Sequence, residues 1–375
     1  MKKILVISNS AASYHSPILK KIAKNNYLHV IYYSNALYND QYNKEYDTVI
    51  KKERKLFKGY EYTFMQSSFS IIKFFQFLFN FISIIYSKKI NNIFVFGYDH
   101  PRCWAAVILG KILNKNILWR GEAIPRKNHP LKKEIKNLAL KIFFSFCDKI
   151  FYSCKKNKNV LKNYTSKHIY PYPCSVDNSY FRKQFLNLKN KKKKLIKGFK
   201  LGQKTFKIVS VCRLTKRKNL SYLLREIYKF KIKNIEILLV GNGPERENLK
   251  ILSKKFNLKV KFFGFQNQYN ICKILSISDL YCLVSNFDAS PKSINEAMNF
   301  KLPIITRNTI GTTGDLVING FNGYIIKDNI KLGKILKRLI INKNKLNYFS
   351  KNSYVTLDNF FSHEICIKNV INQCK

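Results

Sequence analysis

Asp288 and Glu296 stand eight positions apart within residues 282 to 326, CLVSNFDASPKSINEAMNFKLPIITRNTIGTTGDLVINGFNGYII. The first acid falls in a loop after the apolar run Leu280 to Val284, and the second lies one turn inside a predicted helix. Ser290 is suited to cap that helix and Pro291 to take its first position, where no backbone N–H is needed. A helix N-terminus gathers free N–H groups and partial positive charge, so a diphosphate can sit there beside Ser290 and Ser293. The flanking carboxylates would accept hydrogen bonds from sugar hydroxyls. Phosphate and polyol together describe a sugar nucleotide. Taken without context, the same pair reads as a solvated loop acid and a surface helix residue.

A second group lies upstream. The run Ile208 to Val211 leads straight into Cys212-Arg213-Leu214-Thr215-Lys216-Arg217-Lys218-Asn219. A basic cluster at the carboxyl end of a parallel strand sits where α/β sheets bind ligands, and a leaving diphosphate needs cations there. Gly241-Asn242-Gly243 follows another apolar run as a tight turn, a weak signal of phosphate binding by itself. In the first half, Trp119-Arg120-Gly121-Glu122 follows an apolar run, with Arg120 and Glu122 placed either to orient an acceptor hydroxyl or to pair with each other. His15 in the loop 9 to 17 and His100 in Gly97-Tyr98-Asp99-His100 are further acceptor candidates.

Short apolar runs must position these groups, and they alternate with helical segments along the whole chain. The runs are Ile4 to Ile7, Val30 to Tyr33, Ile93 to Phe96, Ile117 to Trp119 and Ile150 to Tyr152, then Ile208 to Val211, Ile235 to Val240, Val260 to Phe263, Leu280 to Val284, Pro303 to Thr306 and Tyr324 to Ile326. Strands separated by helices imply parallel sheets with crossover connections, hence doubly wound α/β units. The 375 residues suffice for two such domains. The boundaries expected are residues 1–182 for the first, a Lys-rich linker and surface helix over 183–204, the second domain over 205–351, and a helical tail over 352–375.

The formal net charge is +48. Such a field attracts polyanions, yet the lysines are spread over most segments and no nucleic-acid-binding module is present, so no nucleic acid is expected. Nine cysteines show no CxxC and no Cys/His ligand spacing, which suits buried thiols in a reducing compartment and a cytoplasmic location. The start, MKKILVISNS, has too short an apolar run for a signal-peptide core and reads as a strand. Ser67 to Lys89 carries polar residues at spacings of three and four, giving one polar stripe on a helix with a wide apolar face. It reads as a buried crossover helix, or as a helix in the interface of an anionic membrane with Phe74, Phe77, Phe81 and Ile85 inserting.

The pattern Asp288, Glu296-Ala297-Met298, Lys301-Leu302-Pro303 and Asn322-Gly323 resembles the donor site of retaining GT-B glycosyltransferases of family four. Two departures stand out: Asp288 where the family usually has Glu, and Ser290-Pro291 where it usually has Phe-Gly. The resemblance implies two Rossmann-like domains facing a central cleft, a nucleotide-sugar donor on the C-terminal domain and a glycan or lipid-linked acceptor on the N-terminal one. It implies transfer with retention, Arg213 and Lys218 neutralising the diphosphate, main-chain contacts of Phe265 with the base, Val176-Asp177-Asn178 and Phe181 as the exit from the first domain, and a C-terminal helix packed on that domain. No Asp-x-Asp sequence occurs, so no metal and no other cofactor is expected. The same fold would also serve a sugar-nucleotide epimerase or a phosphorylase, or a catalytically weak scaffold that binds a membrane or partner.

Overall fold

A computed structural model of the protein describes residues 1–11, 14–34, 41–43, 48–50, 54–65, 70–122, 130–327 and 332–375. Residues 12–13 of the first loop and 67–69 of the apolar segment therefore lie outside the described residues. The chain divides into two compact units. One comprises Met1–Gln41, Val49–Cys174 and His363–Lys375, and the other Tyr42–Thr48 and Ser175–Ser362.

The first unit is built on β1 (Lys3–Ser8), β2 (Tyr27–Tyr32), β5 (Glu61–Phe64), β6 (Asn92–Phe96), β7 (Asn116–Arg120), β8 (Lys149–Tyr152) and β9 (Ile169–Pro171). Their order is β5-β2-β1-β6-β7-β8-β9, and each recorded pair is parallel. Two short strands, β3 (Gln41–Asn43) and β4 (Thr48–Ile50), form a separate two-stranded sheet. Side chains alternate across each strand. Leu5, Ile93 and Ile117 therefore meet one layer of helices, α2 (Ile71–Ser87), α3 (Pro101–Ile112) and α4 (Pro130–Ser145). Ile4, Val6, Phe94 and Leu118 meet α1 (Ser16–Ala23) and α14 (His363–Gln373) on the other face. A short helix, α5 (Lys155–Leu161), follows β8.

Buried Asn92 and Asn116 hold the end of α14. Asn92 donates to the Lys375 carbonyl at 3.0 Å and accepts from its N–H at 2.8 Å, while Asn116 donates to the Gln373 carbonyl at 2.8 Å.

On α2 the structure corrects the expected inserting set. Phe77, Phe81 and Ile85 are fully buried against the sheet and Phe74 is half-buried, so three of the four are core. Ser70 caps the helix, accepting from the Lys73 N–H at 3.3 Å.

The second unit carries β10 (Phe206–Val211), β11 (Ile235–Val240), β12 (Val260–Gly264), β13 (Leu280–Leu283), β14 (Ile304–Arg307) and β15 (Gly323–Ile326), in the parallel order β12-β11-β10-β13-β14-β15. On one face pack α6 (Asn178–Lys189), α7 (Lys192–Gly198), α10 (Gln268–Ile277), α11 (Lys292–Asn299) and α13 (Lys343–Phe360). The other face carries α8 (Leu220–Lys229), α9 (Arg246–Lys255) and α12 (Leu332–Ile341). The stretch 183–204 is not a linker. Phe181, Leu188 and Ile196 are buried in this unit's core, so α6 and α7 belong to it despite their lysines. The unit boundaries fall at Cys174/Ser175 and Ser362/His363, and α13 stays with the second unit.

Candidate functional site

In each sheet the strand order reverses beside the first strand of the unit, between β10 and β13 in the second and between β1 and β6 in the first. Loops leaving such a pair diverge to opposite faces and open a crevice at their carboxyl ends. Arg213, Lys218, Asp288, Ser290, His15 and His100 fall in these loops, whereas Arg120 and Glu122 end β7 and its following loop, Gly241–Gly243 and Phe265 follow β11 and β12, and Ser293 and Glu296 lie on α11.

After β10, Lys216–Lys218 form a 3-10 turn, closed by Asn219 in the left-handed conformation at φ 54°. That turn folds Lys218 inward, where it is buried and its ammonium pairs with the Asp288 carboxylate from the loop after β13. The two loops are also stitched by main-chain and side-chain hydrogen bonds. Asn286 N–H donates to the Arg217 carbonyl at 2.8 Å, and Asn219 donates to the Asn286 side chain at 3.1 Å. Gly311 N–H donates to the Asp288 carbonyl at 2.8 Å, which fixes that residue's backbone. An ammonium has three donors, so the ion pair with Asp288 does not exhaust Lys218. Arg213 is half-buried in the same loop.

Glu296 lies on α11. Desolvation pushes its carboxyl up to about 7, with the Lys292 charge offsetting only part of that rise. The folded protein thus keeps a proton that the unfolded chain releases between about pH 4.5 and 7. Ionising this carboxyl therefore opposes folding increasingly through that window. Glu296→Gln is expected to stabilise the protein at pH 8 by on the order of 2 kcal/mol and to be neutral near pH 4.5. Urea unfolding at both pH values checks this; an equal gain at both would show that the carboxyl's ionisation is not the cause.

Tyr281 on β13 donates to the Ser293 hydroxyl at 2.6 Å, which holds Ser293 at the start of α11. Ser290 does not cap the helix. Pro291 is extended, at ψ 105°, so the first helical residue is Lys292 and Pro291 itself is at the cap position. The Ser290 hydroxyl is buried without a hydrogen-bond partner among the described residues.

The Gly241-Asn242-Gly243 turn abuts the Arg213 loop. A Cβ on Gly241 would lie 2.0 Å from the Cys212 carbonyl oxygen, and one on Gly243 would lie 2.4 Å from that of Leu214. Leu214 N–H donates to the Asn242 carbonyl at 2.9 Å, and the Asn242 side chain accepts from Arg246 at 3.3 Å. The glycines are thus required by loop-on-loop contact. Burial pushes the neighbouring Cys212 thiol up to about 12, and all nine cysteines are free thiols. Phe265, just past β12, exposes 46% of its surface.

In the first unit, Arg120 at the end of β7 is buried and donates to Glu122 at 2.7 Å. It also lies 3.2 Å from His15 Nε2. Arginine can only donate, so Nε2 accepts and the ring proton sits on Nδ1. The Arg120–Glu122 pair exists, and His15 joins it. His100 does not: its Nδ1 caps α3, accepting from the Arg102 N–H at 3.2 Å, and its ring packs on Tyr33 at 4.6 Å. Two residues of this cluster were not singled out in the sequence. The Cys174 thiol donates to Glu122 at 3.1 Å, and the Arg120 guanidinium lies 5.2 Å from the centre of the Tyr172 ring. Both follow β9, whose three residues give too short an apolar run to mark a strand end.

Two doubly wound parallel sheets in one chain are the parts of a GT-B fold, and comparison with solved structures agrees. A glycosyltransferase from Rickettsia africae ESF-5 superposes with a TM-score of 0.78 at 18% identity, over 99% of this chain and 97% of that one. The Anabaena protein HepE in complex with UDP and glucose gives 0.70 at 14%, over 99% of each. At these identities the likeness is one of fold. In sequence, residues 191–356 match the family model of Glycosyl transferases group 1. That match covers most of the second unit and includes Asp288 and Glu296. A relative in Escherichia coli, UDP-Gal:alpha-D-GlcNAc-diphosphoundecaprenol alpha-1,3-galactosyltransferase, is 31% identical over 170 residues, 43% of each chain. The chain spans about half or less of the length of the curated relatives it matches.

Proposed function

We propose that the protein is a glycosyltransferase that moves a sugar from a nucleotide-sugar donor to a hydroxyl acceptor with retention of anomeric configuration. The observation that carries this reading is the buried Lys218–Asp288 pair, which joins the loops after β10 and β13, with Arg213 in the first loop and the perturbed Glu296 carboxyl on the helix that follows the second. The donor is held by the second unit. Lys218 and Arg213 stabilise the leaving diphosphate as the bond from the anomeric carbon to its oxygen breaks. The acceptor oxygen forms the new bond on the same face, and its proton passes to the departing phosphate oxygen. Glu296 and Asp288 receive sugar hydroxyls or position the cations that touch the donor. Ser290, Ser293, Gly241, Asn242, Gly243 and the backbone at Phe265 line the nucleotide. The acceptor belongs to the first unit's cluster of His15, Arg120 and Glu122, and is a surface polysaccharide, lipopolysaccharide or lipid-linked glycan reached at the cytoplasmic face of a membrane.

A UDP-sugar is the first donor to test, because the Escherichia coli relative is named for one. Fixed cations serve the diphosphate in place of a metal, so transfer is expected to persist in excess EDTA. Calorimetry against UDP-, GDP-, ADP- and dTDP-sugars, followed by NMR of the product's anomeric proton, tests donor and stereochemistry. Loss of activity on chelation, restored by Mg²⁺ or Mn²⁺, would overturn the metal-free assignment. A second reading, a GT-B scaffold without transfer, draws on the fact that Asp288 already neutralises Lys218. Donor binding without turnover across candidate acceptors would favour it.

A further inference from the structure

The outward face of α2 is apolar as well as its inward face. Ile71, Phe75, Phe79, Ile82 and Tyr86 recur at spacings of four, four, three and four, which is one stripe of a helix. Phe79 exposes 74% of its surface and Phe75 63%. At 1.5 Å per residue the stripe is about 22 Å long. The same layer continues the pattern. α3 packs beside α2, and Trp104 of α3 meets Phe143 of α4 edge to face at 4.8 Å. Ile135, Leu138 and Ile142 on α4 are exposed, as is Ile112 at the end of α3. Exposed apolar faces of this extent on a soluble protein mark an interaction surface.

Charge selects the occupant. α2 and α3 contain no Asp or Glu and α4 contains only Glu134, while Lys89, Lys136 and Lys141 stand exposed on or beside these helices, and Lys88 is paired with Glu61 at 3.3 Å. Apposing two copies of such a face in a chain of net charge +48 brings like charges together. A bilayer with anionic headgroups neutralises the lysines and takes up the apolar stripe, with Tyr86 near Lys88 and Lys89 suited to the headgroup level.

We propose that the α2–α3–α4 layer of the first unit is a docking surface for an anionic lipid bilayer, entered by Phe75 and Phe79. This deepens the membrane-bound acceptor proposed above while resting on exposure and charge rather than on the donor site. The test is co-sedimentation of the full chain with vesicles of phosphatidylcholine–phosphatidylglycerol and of phosphatidylcholine alone, at low and high salt, with UDP titration in parallel. Wild type is expected to bind the anionic vesicles and to retain part of that binding at high salt. Phe75→Ser with Phe79→Ser is expected to lower the bound fraction about tenfold or more, since two phenylalanines lose their burial. Both positions are exposed, so the double variant should keep wild-type melting and UDP binding. Binding unchanged in the double variant, or binding wholly abolished by salt, would overturn insertion at this face. A lipid-free dimer that the double variant dissociates would assign the face to a second copy instead. Failure to bind UDP with vesicle binding intact would count against the donor site alone.

Discussion

Glu296→Gln and Lys218→Ala are each expected to lower sugar transfer by about 10²-fold or more, the usual cost of removing one electrostatic contact to a transition state. The two variants act differently. Gln keeps the size of Glu296 and removes its titration, so it leaves the fold intact and reports on the carboxyl alone. Lys218→Ala leaves Asp288 without the cation that it faces, so part of its effect is structural, and a melting curve must accompany the rate. Adding Asp288→Asn removes the orphaned charge and is expected to restore stability without restoring transfer. Release of nucleoside diphosphate is the readout. Rates within a few-fold of wild type in both single variants would remove these residues from the reaction. Arg213→Ala should weaken nucleoside diphosphate binding in the same assay series.

Gly241→Ala is expected to destabilise the protein by about 3 kcal/mol or more, because strain of this kind has no nearby relief. Its φ is +126°, and the added Cβ would lie 2.0 Å from the Cys212 carbonyl oxygen, which is backbone and cannot rotate away. Relief would have to push the Cys212–Thr215 loop, and with it Arg213, so nucleotide affinity should fall alongside stability. Gly198→Ala is the control, since its Cβ would meet nothing within 4 Å. Urea unfolding of the two variants decides the matter. A Gly241→Ala loss of under about 1 kcal/mol would mean that the loop yields more easily than a packed backbone should.

Each apolar run named in the sequence coincides with a strand, from Ile4 to Ile7 in β1 through Tyr324 to Ile326 in β15. Central parallel strands are buried on both faces and so advertise themselves as unbroken apolar runs. β5 did not, because Glu61-Tyr62-Thr63-Phe64 is a half-exposed edge, and β9 is only three residues long. The donor-site acids were legible from type and spacing. Their partners were less so: pairing of Lys218 with Asp288 depends on a 3-10 turn that folds a lysine inward, and nothing in a run of three basic residues says which one turns. The Ser290 cap failed for a comparable reason. Ser-Pro permits a helix start at either residue, and the extended ψ of Pro291 moved it one position on. On α2 the apolar content was legible but its facing was not, since a helix apolar on two sides gives no single face to assign.

Helix α14 closes one face of the first unit, yet it is made from residues 363–375, and residues 175–362 form a unit of their own in between. During synthesis, residues 1–174 leave the ribosome with Ile4, Val6, Phe94 and Leu118 lacking the cover that Cys366 and Val370 later supply. The buried Asn92 and Asn116 likewise wait for the carbonyls of Lys375 and Gln373. The first unit is therefore completed only after the residues of the second have been synthesised.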